Sequence, residues 1–258
     1  MDLRPLGATG VEVSMIGFGA FKIGRNQKTK YAESYDLPGQ EEVDQLLDTI
    51  TDAGISLIDT APAYGCSEER IGAWLKRSGA RNRIILATKV GEEFEAGRSH
   101  YAFDRNSINR SIDRSLTLLG VDRLDIVNVH SNGEDLRIID QTDVLEVLAT
   151  RRDQGDLGVV GFSGKTLAGH RRAIEHPVGI RSLMIELNLE DSDQAPILEE
   201  AHERGIGILI KKGLASGRAG AEESLSWLLA NRAISSVVIG SRSAGHMCEN
   251  LAIARALR

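Results

Sequence analysis

Ile55–Ala61 reads ISLIDTA and Ile84–Val90 reads IILATKV. Each is a short, nearly unbroken apolar run that ends in polar residues capable of chemistry. Strands covered on both faces have this composition, because neither face alternates with water. Working outward, six further runs match them: Val13–Gly19, Leu124–His130, Leu157–Ser163, Ser182–Leu189, Ile206–Lys211 and Ser236–Gly240. Segments with helical spacing lie between them. Gln40–Ala53 places Val43, Leu46, Leu47 and Ile50 on one face and stops at Gly54. Asp104 caps a helix that runs to Leu119 and stops at Gly120. Thr142–Arg152, Thr166–Glu175, Gln194–Arg204, Glu222–Asn231 and Ala244–Ala256 continue the alternation. Strict alternation implies a parallel sheet. Eight units imply an α/β fold of the closed (β/α)8 TIM barrel type. The rival is an open doubly wound sheet, but the chain has no G-x-G-x-x-G phosphate turn. Leu3–Leu6, GATG and Val11–Val13 read as a hairpin ahead of the first barrel strand. Arg25–Gly39 reads as a polar surface insertion.

Composition narrows the function. The 258 residues are 26% charged and 41% hydrophobic, with a net charge of -6. That balance suits one globular barrel domain over 1–258 and disfavours nucleic acid or an anionic membrane as partner. No apolar run reaches the ~18 residues of a membrane helix, and the amino terminus lacks a leader pattern. A cytoplasmic monomer is the favoured expectation. Two cysteines, Cys66 and Cys248, cannot alone form a zinc site. Cys66 reads as a small, partly buried thiol.

In a parallel barrel the chemistry lies at the carboxyl ends of the strands. Those ends carry Asp59 with Tyr64 five residues on, Lys89, Asn128 and His130, Ser163, Asn188, Lys211-Lys212 and Ser241-Arg242. A phenol is a poor acid at neutral pH, and a neighbouring ammonium lowers its pKa. An imidazole at the same mouth can donate to a carbonyl oxygen. Together these groups could deliver a proton to an oxygen gaining negative charge. Side chains cannot supply a hydride, so carbonyl reduction would need a nicotinamide cofactor.

The segments IGFGAF, GISLIDTAPAYGCSEERIGAWLK, ILATKVG, SLTLLGVDRLDIVNVH, VVGFSGKT, GLASG and VVIGSRSAGHMCENL make the chain resemble the aldo-keto reductase family over nearly its whole length. The resemblance implies a catalytic tetrad of Asp59, Tyr64, Lys89 and His130. Tyr64 would be the general acid, with Lys89 and Asp59 tuning it and His130 orienting the carbonyl. It implies NADPH (NADP+) as cofactor and a small-molecule aldehyde or ketone as partner. The cofactor would run past Ala20, Phe21 and Asp59 and along Met184, Lys211 and Lys212. It would place Ser163 near its carboxamide and Gly213, Leu214 and Gly217 near its pyrophosphate. Gly240, Ser241, Arg242, Glu249 and Asn250 would surround its adenosine end.

Several positions depart from the family pattern. Met184 replaces a common Gln, Lys211 replaces a tyrosine that often stacks on the nicotinamide, and Gly240 stands where a basic residue is common. A nicotinamide-binding sensor with weak turnover is therefore the alternative to an enzyme, and an unrelated barrel lyase or isomerase is a third reading. Gly158–Thr166 imitates a P-loop with its first glycine one residue too far away. His170 and His176 are expected on the surface of a basic helix.

Overall fold

The structure is a computed structural model and describes residues 3–29 and 35–257. Residues 30–34 of the polar insertion lie outside the described residues. A hairpin of β1 (Leu3–Pro5) and β2 (Glu12–Ser14) comes first. Next are β3 (Ile16–Gly19), the short α1 (Phe21–Gly24), α2 (Gln40–Ala53), β4 (Leu57–Asp59), α3 (Ser67–Ser78) and β5 (Ile85–Val90). A second hairpin, β6 (Glu92–Glu95) with β7 (Arg98–Tyr101), precedes α4 (Arg105–Leu119) and β8 (Leu124–His130). The chain continues through α5 (Asp135–Gln141), α6 (Val144–Gln154), β9 (Leu157–Ser163), α7 (Leu167–Glu175) and β10 (Ser182–Glu186). It ends with α8 (Ile197–Glu203), β11 (Gly207–Lys211), α9 (Ala221–Ala230), β12 (Ile234–Ile239) and α10 (Ala244–Ala256).

Strands β3, β4, β5, β8, β9, β10, β11 and β12 pair in parallel, and β12 returns to β3. That closure makes the (β/α)8 barrel and removes the open-sheet rival. The hairpin closes the bottom. Leu6 is fully buried beside Val13 and Leu57, and Arg4 donates to the carbonyls of Leu229 and Ile234. Gly7 has φ +54, and a Cβ there would lie 2.3 Å from the Gly205 carbonyl oxygen, so this turn requires glycine. At α4, Asp104 accepts from the amides of Asn106 and Ser107, and Gly120 closes the helix at φ 65.

Three differences from the sequence reading stand out. Helix α3 was not assigned, although Ile71, Trp74 and Leu75 have helical spacing and all are buried. The stretch after Gly91, to which the sequence reading gives no strand, is a paired hairpin with Glu92 opposite Tyr101. His170 is fully buried and His176 is 9% exposed, which corrects their surface assignment. The cause is the register of α7, which turns Gly169, His170, Ala173 and Ile174 inward. Burial then pushes His170 down to about 4. Cys66 is half-buried, as expected, with Sγ 3.6 Å from the Gly24 carbonyl oxygen.

Candidate active site

The strands turn from apolar to polar as they reach the mouth. Leu57, Ala87, Ile126, Met184 and Leu209 fill one layer inside the barrel. Inward positions repeat every two residues. The next level is therefore Asp59, Lys89, Asn128, Glu186 and Lys211, and His130 comes one level higher on β8. The sequence runs end in chemistry because each strand leaves its packed layer there. Met184 stays in the apolar layer at 1% exposure, one level below Glu186.

Asp59 and Lys89 lie on adjacent strands, and register places Asp59 opposite Ala87. Lys89 Nζ donates to both Asp59 carboxylate oxygens at 2.7 Å and to the Thr60 carbonyl at 2.9 Å. Burial works against the ammonium, but the Asp59 charge overrides it and holds the Lys89 amine above its ordinary range. Removing either partner would leave a buried charge uncompensated.

Tyr64 ends a single 3-10 turn, Pro62–Tyr64, that follows β4 and leans over this pair. Lys89 Nζ is 4.7 Å from its ring centroid, and the Phe21 ring meets it edge-on at 5.3 Å. The expected fall in the phenol pKa is not what the structure gives. Burial pushes Tyr64 up to about 12, and the lowering by Lys89 is offset by Asp59 and Glu92. The main reason is desolvation of the phenol, and because Tyr64 faces an ion pair rather than a lone cation, little lowering is left to oppose it.

His130 lies across from Tyr64, ring perpendicular and centroids 6.2 Å apart. Burial, then the charges of Lys89, Lys211, Lys165 and Arg25, hold it well below its ordinary value. It is a neutral imidazole at neutral pH. Its Nδ1 is 3.0 Å from Oε2 of Glu92, a residue the strand-end reading did not select because Glu92 opens the hairpin after β5. The signal available was its place two residues beyond Val90.

On the far wall, Lys211 Nζ donates to Ser163 Oγ at 3.0 Å and to the Gly164 carbonyl at 2.8 Å. Glu186, opposite Lys211 in the register, is paired with Lys212. Burial therefore dominates, and Lys211 falls to about 7. Beyond β11 the backbone enters the left-handed region at Lys212 (φ 58), Ala215 (φ 47), Ser216 (φ 61) and Gly217 (φ 92). Non-glycine residues in that region cost roughly 1–3 kcal/mol each and concentrate at ligand clamps.

The expected adenosine end contains Ser241, Asn250 and Arg242. Ser241 and Asn250 are buried, and Glu249 is exposed. Ser241 Oγ accepts from the Ser243 amide at 3.0 Å, and the exposed Arg242 stacks over Tyr35 at 4.9 Å. Lys22, missed in the sequence, has its pKa lowered by burial and by the nearby Arg242 charge. Two cations therefore share this end. The P-loop lookalike takes no part in it. The amides of Lys165 and Thr166 both donate to the Asp135 carboxylate, at 2.9 and 2.7 Å, in place of a phosphate.

A closed parallel barrel with a phenol above a sealed ammonium–carboxylate pair defines a barrel protein equipped for proton transfer at its mouth. Comparison with known proteins identifies the kind. The Aldo/keto reductase family pattern matches residues 15–224. Aldo-keto reductase str7 of Strobilurus tenacellus is 33% identical over 80% of this chain, and the match spans 59% of that protein's length. L-galactose dehydrogenase of Arabidopsis thaliana is 27% identical over 98% of this chain and 88% of its own. A Pseudomonas aeruginosa crystal structure, assigned as an aldo-keto reductase, superposes with a TM-score of 0.89 at 36% identity, covering 99% of this chain and 95% of that one. This chain belongs to the aldo/keto reductase family, a family of oxidoreductases.

Proposed function

We propose that the protein reduces an aldehyde or ketone to an alcohol with NADPH, and that Tyr64 is the general acid. The observation that carries this reading is the sealed Asp59–Lys89 pair, with Nζ 4.7 Å from the Tyr64 ring and His130 opposite. Tyr64 is protonated throughout the neutral range, since its pKa is about 12. It loses its proton when the substrate oxygen becomes an alkoxide, a stronger base than a phenolate. Lys89 then faces the phenolate and stabilises it. His130 hydrogen-bonds the substrate oxygen and orients it towards Tyr64.

The donor set fits a dinucleotide. The strained Lys212–Gly217 turn suits a pyrophosphate, because successive amides in such turns form anion-binding concavities. Lys22, Arg242 and the Ser241 hydroxyl suit a 2′-phosphate. Bound there, the cofactor would supply the hydride. Ser163 and Lys211 would line its reactive end, with Ala20 and Phe21 at its edge. The protein would act as a single-domain cytoplasmic monomer. The sensor reading is favoured by one observation: Lys211 occupies the Ser163 hydroxyl that a carboxamide would need.

The test is NADPH absorbance loss against a panel of aldehydes and ketones. Tyr64→Phe is expected to lower kcat by ~10²–10⁴-fold with cofactor Kd nearly unchanged. Unchanged turnover removes Tyr64 as the acid, and no turnover on any carbonyl favours the sensor. NADPH is expected to bind more tightly than NADH, and Arg242→Ala should narrow the gap. Equal Kd values for the two cofactors would defeat the 2′-phosphate assignment.

A further inference from the structure

Among the described residues, no carboxylate pairs with the Lys211 amine. Glu186, opposite it in the register on β10, is engaged by Lys212. Lys211 Nζ instead donates to Ser163 Oγ at 3.0 Å and to the Gly164 carbonyl at 2.8 Å. A neutral amine has two N–H bonds and one lone pair. Both N–H bonds are used on these two acceptors, so the lone pair takes the direction of the tetrahedral nitrogen that is left. The side chain ends β11 and is partly exposed at the mouth, so a small molecule can reach it.

The surroundings favour that neutral form. Burial weighs most; Glu186 opposes it, while Lys212, Lys89 on β5 and Lys165 after β9 add like charge. Asp59 on β4, His130 on β8 and His170 on α7 also lie within reach of the Lys211 charge. Near neutral pH a large share of Lys211 is therefore a free amine, whereas an ordinary lysine is almost wholly protonated. Desolvation beside other cations is one way a lysine becomes a nucleophile towards carbonyl carbon. Lys89 in the same mouth is the contrast. Both oxygens of Asp59 hold its ammonium, and it has no lone pair to offer.

We propose that Lys211 is a covalent acceptor site for small aldehydes: in the cofactor-free protein its Nζ adds to the aldehyde carbon and forms an imine. The nitrogen lone pair makes the C–N bond as the carbonyl π pair moves to oxygen. That oxygen takes up the two protons the nitrogen gives up and leaves as water, so no oxidant or reductant is consumed. Ser163 Oγ, 3.0 Å from Nζ, accepts from the amine and can pass its own proton to the departing oxygen. The imine goes beyond the proposed reduction and does not depend on it. The two meet at one point. Lys211 lies at the reactive end proposed for the cofactor, so on that reading an imine there and a bound cofactor exclude each other.

The probe is propanal, mixed at neutral pH with the cofactor-free protein, and cyanoborohydride then reduces any imine to a stable secondary amine. Peptide mass mapping reads which lysine carries the propyl group, and fragmentation separates Lys211 from Lys212. Lys211 is expected to be modified faster than the exposed Lys28 and Lys76 by ~10-fold or more. Modification no faster than theirs, or a map in which Lys211 stays bare, overturns the proposal without any variant. In folded Lys211→Met the fast phase is expected to vanish; a fast phase that persists there on Lys165 or Lys212 also overturns it. NADPH added to Tyr64→Phe, which should consume little propanal, probes the meeting point. Suppressed labelling supports both the amine's place in the mouth and a cofactor lying over it. Undiminished labelling with NADPH bound counts against that cofactor placement and leaves the imine site standing. If no carbonyl is turned over but Lys211 is labelled fast, the proposed reduction fails and this assignment holds.

Discussion

Lys89 and Lys211 end two strands of one barrel, both face its mouth, and their acidities move in opposite directions. Lys89 has a carboxylate to itself and is held above its ordinary range. Lys211 has neutral partners, Ser163 Oγ and the Gly164 carbonyl, while the carboxylate opposite it is engaged by Lys212; it falls to about 7. Burial alone would lower both. The nearest unclaimed carboxylate decides which lysine remains a firm cation. Sequence spacing shows two lysines at strand ends; it does not show how the acids are shared between them.

The largest expected effect comes from breaking the sealed side. Lys89→Met removes the cation and leaves Asp59 as a buried, unpaired carboxylate. We expect kcat to fall by roughly 10²–10⁴-fold. Stability should fall by about 3–5 kcal/mol, because one partner of a buried pair is removed. Steady-state kinetics with urea denaturation checks both. A variant with wild-type kcat would reduce the pair to a structural ion pair and strengthen the sensor reading.

A smaller effect sharpens the other side. Lys211 has a folded value of about 7, below the ~10.4 of an unfolded lysine. Between those values the unfolded chain holds more protons, so wild-type stability rises with pH across that window. Below it, the cost of burying the charge is present in full. Lys211→Met removes this pH dependence. Relative to wild type, the variant should be most favoured near pH 6 and lose that advantage as pH rises past about 7, as read from urea midpoints. A gap that does not change with pH would mean that Lys211 remains charged throughout and that the two lysines are alike.

The barrel was legible because each strand run is apolar on both faces and each helix has an inward stripe; Val43, Leu46, Leu47 and Ile50 of α2 are all buried as the spacing implies. Helix α3 was equally legible from Ile71, Trp74 and Leu75, and was missed because the stretch was read as a motif instead of as a period. Three residues of the expected tetrad, Asp59, Lys89 and His130, were legible at strand ends, since the two-residue repeat turns them towards the mouth. Glu92 and Lys22 were not, because neither ends a strand: one opens a hairpin, and the other lies in a four-residue helix after β3. The direction of the Tyr64 shift was also beyond the sequence, since it depends first on how completely the phenol is buried and then on Asp59 cancelling the charge of Lys89.

Closure of the eight-stranded ring has a consequence for association between chains. A closed sheet presents no unpaired row of amides and carbonyls, so it offers no template for another strand. Among the described residues, free sheet edges belong to the two hairpins, β1–β2 and β6–β7. The second lies beside the mouth, and its strands read EEFE and RSHY. Each is four residues long, and Glu93, Glu95 and Arg98 place charges along them. Short, charged edges of this kind resist edge-to-edge pairing. The hairpin that brings Glu92 to His130 thus carries, beside the entrance, the kind of edge that disfavours pairing with a second copy of itself.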